Sequence, residues 1–186
     1  MEDIKKIISF IKELERLKIN TRTAWASTGR QESIAEHSWR LSLFTMVLEE
    51  FFPDIDFNKV IRMALIHDLG EAYDGDTSAK LEAHPQEKIQ REEAAIFRLI
   101  APLSVRMQEQ FLSLWHEYNL GETAEAKLVK GLDKIETIIQ HNQGENPPDF
   151  DYEFNLEYGK RYSDFDPIIR CIRELVDAET LGKIPR

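Results

Sequence analysis

His37 interrupts an apolar stripe: it follows Ile34 by three residues and precedes Leu41 by four, and Phe44 and Leu48 continue the same helical face. Further along, Asp68 continues a second apolar face marked by Ile61, Ala64 and Leu65, with His67 beside it. Glu71 comes four residues after His67, one turn on if the helix persists. A polar side chain on a buried face costs free energy unless it is paired, and a buried carboxylate needs a cation or several donors. Imidazole nitrogen and carboxylate oxygen together suit a borderline-to-hard divalent metal. A lone His37 would read first as a hydrogen-bonded core histidine, and the His67-Asp68 pair weakens that reading. Asp133 sits at the edge of the stripe formed by Leu128, Val129, Leu132, Ile135 and Ile139. Pattern alone makes it a solvated or salt-bridged surface aspartate. His84, His116 and His141 carry no such pattern and read as structural or solvent-facing.

The elements that must position these residues are helices. Ile4, Ile7, Ile8, Ile11, Leu14 and Leu17 trace an amphipathic helix over residues 2–17. A link over 20–32 follows, and Ser33-Ile34-Ala35-Glu36 is a capping box that opens a helix to about Phe51. After Pro53-Asp54 a third helix runs from about Phe57 to Leu69, with Gly70 near a C-cap. Beyond the Asp74-Gly75-Asp76 turn, helices are expected over 86–100, 104–118, 123–142, 151–162 and 167–181. No strand alternation or internal repeat stands out, so the expected fold is all-α, with residues 1–186 as one domain.

Composition narrows the function classes. With 186 residues, 42% hydrophobic and 31% charged, the chain is globular in type, and it has no apolar run long enough to span a membrane. The N-terminus shows no signal-peptide core, so a cytoplasmic location is expected. A net charge of −10 argues against a nucleic-acid polymer as partner. It does not exclude a small phosphorylated substrate, because a metal or a few cations can reverse the potential inside a pocket. Cys171 is the single cysteine, which excludes an internal disulfide or a thiolate cluster. Its spacing from Ile168, Ile172 and Leu175 makes it a small core residue. Phosphate-binding glycine loops, nucleophile elbows and zinc-protease motifs are absent.

The isolated histidine in Glu36-His37-Ser38, the pair in His67-Asp68-Leu69-Gly70-Glu71 and the distant aspartate in Gly131-Leu132-Asp133-Lys134 resemble the signature of HD-domain metal-dependent phosphohydrolases. The chain is further similar to the 5′-deoxynucleotidases of the YfbR and HD-domain-containing protein 2 type. The matching stretches are Leu17-Lys18, Arg22-Thr23-Ala24-Trp25, Glu32 to His37, Gly75-Asp76 and Ala124-Glu125-Ala126-Lys127. The resemblance implies a helical bundle and a homodimer that hydrolyses deoxyribonucleoside 5′-monophosphates. It also implies one divalent metal, cobalt or manganese, with copper, iron, nickel and zinc as further candidates.

By the same resemblance, His37, His67, Asp68 and Asp133 are the metal ligands, and Glu71 and Asp76 are the catalytic carboxylates. Arg22 binds the phosphate and Trp25 shapes the sugar side. In the bacterial enzymes the arginine and tryptophan are adjacent, whereas Thr23 and Ala24 separate them here, as in the eukaryotic type. Three rival readings remain open at this stage, the blandest being a helical interaction protein whose motif is coincidental and which binds no metal. Guanosine tetraphosphate hydrolases place Glu-Asp four and five residues after the pair's histidine, where this chain has Glu71-Ala72. A non-catalytic HD-domain regulator that binds a nucleotide or a metal is the third. Only Arg30 and Lys80 offer themselves as loop cations for a triphosphate tail, so monophosphates are the expected substrates.

Overall fold

The computed structural model describes residues 1–76 and 85–184, so Lys80 and His84 lie outside the described residues. The fold is mainly helical, as expected. In chain order the helices are α1 (Glu2–Glu13), α2 (Arg16–Ile19), α3 (Ile34–Val47), α4 (Phe57–Ile66), α5 (Pro85–Ile100), α6 (Val105–Leu120), α7 (Ala124–Gln143), α8 (Tyr152–Glu157) and α9 (Pro167–Leu181). Single 3-10 turns span Glu49–Phe51, Leu69–Glu71 and Lys160–Tyr162. No helix among the described residues is long and apolar enough to cross a membrane.

Local signals set the starts of the helices that matter. The Ser33 hydroxyl accepts the Glu36 amide while the Glu36 carboxylate accepts the Ser33 amide, the reciprocal capping box foreseen for α3. That start places His37 one turn inside the helix. Asp56 and Thr123 cap α4 and α7 through the amides of Lys59 and Ala126. Helices α3, α4 and α7 pack on one another around Leu41, Val60, Met63, Leu128, Leu132 and Ile135, all fully buried. A second apolar cluster joins Phe10, Ile34, Ile66, Leu99 and Trp115. The candidate residues lie where α3, α4 and α7 meet.

Several expectations change. Residues 20–32 are not a plain link: β1 (Thr21–Trp25) and β2 (Gln31–Ser33) form an antiparallel hairpin, with Thr21 opposite Ser33 and Trp25 opposite Gln31. Arg22 and Ala24 face inward. A charged residue on the inner face conceals the period-two pattern by which a strand is recognised. The third helix stops at Ile66 with His67 as its C-cap, so Asp68 is the N-cap of a following 3-10 turn that ends in Glu71. Its buried side is Val60, Met63, Ala64 and Ile66, while Leu65 is half exposed. The apolar face of α1 (Ile4, Ile7, Ile8 and Ile11) is exposed, and within α1 only Phe10 is buried. Cys171 is also exposed, because α9 turns Ile169, Arg173, Val176 and Thr180 inward instead.

Candidate functional site

Helix α3 supplies His37, the α4 C-cap supplies His67 with Asp68 directly after it, and the middle of α7 supplies Asp133. The His37 Nε2 lies 3.2 Å from Asp133 Oδ1 and 3.7 Å from Asp68 Oδ2. The His67 Nε2 lies 3.1 Å from Asp68 Oδ2 and 3.9 Å from Asp133 Oδ1. The two rings sit 5.3 Å apart, centroid to centroid. Asp133 is 3% exposed, which overturns its reading as a surface aspartate. The exposed positions on α7 are few, because α3, α4, α6 and α9 cover it.

The other sides of these groups are already occupied. His37 Nδ1 meets the Glu136 carboxylate, and His67 Nδ1 meets the Ala64 carbonyl at 2.9 Å. Each contact leaves Nε2 facing the shared point, and both Nε2 atoms are buried without a hydrogen-bond partner. Tyr118 donates its hydroxyl to Asp133 Oδ2 at 2.7 Å, and Lys134 approaches the same oxygen at 2.9 Å. Two orphaned imidazole nitrogens converging with an Asp133 carboxylate oxygen fit a divalent cation, and Asp68 Oδ2 lies beside both nitrogens without joining that tight cluster. Without one, burial and Arg22 disfavour the His37 imidazolium, yet Glu136 and Asp133 hold its pKa up at about 10. A proton then supplies the positive charge that the acidic cluster requires. Burial would raise the Asp68 and Asp133 carboxyls, but the histidines, with Lys134 beside Asp133, hold both down.

A cavity of about 1000 Å³ opens beside this cluster. Arg22, Trp25, Glu71 and Asp76 all line it, as do His67, Asp68 and Asp133. The 8% exposed Arg22 donates from Nη2 to Thr137 Oγ1 at 3.0 Å, while its Nε and Nη1 have no hydrogen-bond partner. Burial disfavours its charge, but Asp68, Asp76, Glu136 and Asp133 more than offset that. The Glu71 carboxyl is driven well up by burial and by Asp68 and Asp76, against the pull of Lys88 at 3.5 Å. Trp25 packs edge-on to Phe150 at 6.3 Å, and Phe150 in turn meets His141 at 4.8 Å. Gly144 allows this closure, since a Cβ there would fall 2.1 Å from the Trp25 carbonyl oxygen.

Sequence reasoning missed part of this wall. His141, assigned no role, is buried and lines the cavity; its Nδ1 is 3.0 Å from Asn155 Oδ1, and burial pushes its pKa down to about 4. Glu136 and Arg40 were also missed, although Glu136 follows Asp133 by three residues, the spacing of one helical face. Lys88, Lys130, Lys134 and Arg161 line the cavity too, so its cations do not come from Arg30. Arg30 instead grips Glu36 at the surface.

The family model described as "HD domain" matches residues 14–173. The chain belongs to the HD-domain family. Among curated members of known name, the Dictyostelium discoideum protein called 5′-deoxynucleotidase HDDC2 is 36% identical over 149 residues, covering 76% of this chain and 78% of its own. The human protein of the same name is 31% identical over 144 residues, covering 76% of this HD-domain chain and 70% of its own. A solved structure from Magnetospirillum magnetotacticum MS-1, described as a predicted metal-dependent phosphohydrolase, superposes with a TM-score of 0.79 at 26% identity. That match covers 98% of this chain and 94% of the bacterial one.

Proposed function

We propose that this HD-domain protein is a 5′-deoxynucleotidase, removing the phosphate from deoxyribonucleoside 5′-monophosphates. The reading rests above all on Arg22, a buried guanidinium lining the cavity that holds the His/Asp cluster, with Nε and Nη1 lacking a hydrogen bond and Nη1 3.9 Å from the Glu32 carboxylate. His37, His67, Asp68 and Asp133 would hold one divalent cation, manganese or cobalt by preference, with copper, iron, nickel and zinc as alternatives. Such a cation supplies Lewis acidity toward the phosphoryl group and toward water.

The chain's own groups account for the rest. Arg22 binds phosphate oxygens through its free N–H groups and offsets charge as the transition state forms. Thr137 fixes the guanidinium by accepting from Nη2. Glu71 keeps a proton because Asp68, Asp76 and burial disfavour its anion, and it gives that proton to the departing 5′-oxygen. Asp76 acts by maintaining that protonated state. Trp25 and Phe150 flank the sugar and base, and leave little room at the 2′ position. The buried methyl of Ala72, fully enclosed, offers no second acid of the kind tetraphosphate hydrolases carry.

The protein works as one domain and, in this reading, as a homodimer. Trp39, Leu43, Met46 and Val47 on one side of α3, with Leu65 of α4, are all at least 41% exposed and form an apolar surface suited to a second copy. Phosphate release from a panel of deoxy- and ribonucleoside mono-, di- and triphosphates with several divalent metals tests the activity. Absence of release from every deoxynucleoside monophosphate rejects it.

A further inference from the structure

Four successive turns of α7 face the cavity, and each carries a different chemistry. His141 stands at the aromatic end with Phe150, Thr137 holds Arg22, Asp133 is the ligand, and Lys130 comes one turn beyond it. The monophosphate reading uses the first three turns only. The fourth turn and the wall opposite it form a cationic end with no assigned role.

Most cations around the cavity have a carboxylate of their own. Lys134 pairs with Asp133, Lys160 with Glu157 at 3.2 Å, and Lys88 with Glu71 and Glu92. Lys130 and Arg161 differ, for neither has a carboxylate within ion-pair distance among the described residues. The Lys130 ammonium lies 4.3 Å from the Tyr118 ring centroid and 5.6 Å from that of Tyr162. The Arg161 guanidinium lies 4.7 Å from the Tyr162 centroid and donates to its hydroxyl at 2.6 Å. The acid beside them, Asp164, faces Arg170 at 3.6 Å. Gly131 lets the turn that carries Tyr162 and Arg161 close on α7: a Cβ there would fall 2.8 Å from the Tyr162 carbonyl oxygen, so only glycine admits the 160–162 turn.

Two like charges at one end of a cavity, braced by tyrosine rings and with no carboxylate within ion-pair distance among the described residues, form a site for an anion. We propose that Lys130 and Arg161 form a second phosphate subsite, one helical turn beyond the ligand Asp133, for a phosphate group other than the one being removed. The subsite rests on the phosphatase reading for the place of the first phosphate. The second group is either attached to the substrate, as in a deoxynucleoside diphosphate, or is free inorganic phosphate.

The test uses the full chain carrying Glu71→Gln to slow turnover, loaded with manganese and titrated calorimetrically with dAMP, dADP and inorganic phosphate. An attached phosphate makes dADP bind about tenfold tighter than dAMP, the worth of one charge-assisted contact. Lys130→Gln and, separately, Arg161→Gln remove that advantage, and Lys130→Arg restores it. A free phosphate instead appears as a second equivalent binding to the dAMP-saturated protein, and is lost in the same variants. Arg161 is exposed, so its variant reads the site even where Lys130→Gln disturbs packing. The subsite is overturned if Arg161→Gln changes neither the dADP-to-dAMP ratio nor the phosphate stoichiometry. Failure of dAMP to bind at all rejects the monophosphate reading instead, and the inorganic phosphate titration still reports on Lys130 and Arg161.

Discussion

The Glu136 carboxylate sits on Nδ1 of His37 and so decides which nitrogen of that ring faces the cation site. Its other oxygen takes the Arg40 guanidinium; burial would raise this 1% exposed carboxyl, but His37 first and then Arg40 hold it below the ordinary carboxylate range. Glu136→Ala frees the imidazole to rotate and take the wrong tautomer. Metal affinity should fall about 10–100-fold, the usual cost of losing such a partner. Glu136→Gln should recover part of the loss, since its carbonyl oxygen still accepts from Nδ1. Affinity equal to wild type in Glu136→Ala would show that packing alone holds the ring.

His67→Ala and Asp68→Ala should each abolish stoichiometric metal binding, measured by elemental analysis after dialysis, and activity with it. Full occupancy in Asp68→Ala would remove Asp68 from the ligand set.

Metal binding should release protons. Without the cation, Glu136 and Asp133 hold the His37 pKa at about 10, so the ring is protonated at neutral pH. A ligand nitrogen must be neutral, so the cation displaces that proton and affinity weakens as pH falls. Calorimetry in two buffers of different ionisation enthalpy counts the protons. A count of zero at pH 7 would refute this charge exchange.

Glu71→Gln should keep the metal and lower turnover about 10²–10⁴-fold, the range for a lost proton-transfer group. It should also raise the melting temperature. The Glu71 pKa is higher folded than unfolded, so the folded chain binds the extra proton. Stability is then lost as pH rises from the ordinary carboxylate range toward the folded value. The gain in Glu71→Gln should accordingly grow with pH above about 4.5, the unperturbed carboxyl value. A pH-independent difference in melting temperature would contradict burial of the neutral acid.

Trp25→Ala should narrow the preference for deoxynucleotides over ribonucleotides, with metal content intact, because it opens the wall beside the sugar. Gly144→Ala acts on the same wall from behind. Its Cβ would fall 2.1 Å from the Trp25 carbonyl oxygen, so stability should drop by about 1–3 kcal/mol, typical of overpacking. An unchanged melting temperature for Gly144→Ala would mean that the β1 end moves freely.

The residue types and order of His37, His67-Asp68 and Asp133, the capping box at Ser33, the helical periodicity of α3 and α7 and the extent of α9, though not its buried face, were legible in the chain itself. They are local properties: spacing on one helix needs no knowledge of its neighbours. The burial of Asp133 was not legible, because α3, α4, α6 and α9 cover that helix. Neither was the hairpin at 21–33, whose inward Arg22 makes sense only beside Thr137 and the acidic cluster. Residues more than a hundred positions apart meet there. The cationic end of the cavity also escaped, since Lys130 and Arg161 stand on different elements that come together by the close approach at Gly131. Chemistry that depends on a single helix face could be read from sequence. Chemistry that depends on which faces meet was decided by tertiary packing, because convergence of side chains is a property of the assembled helices and not of any one of them.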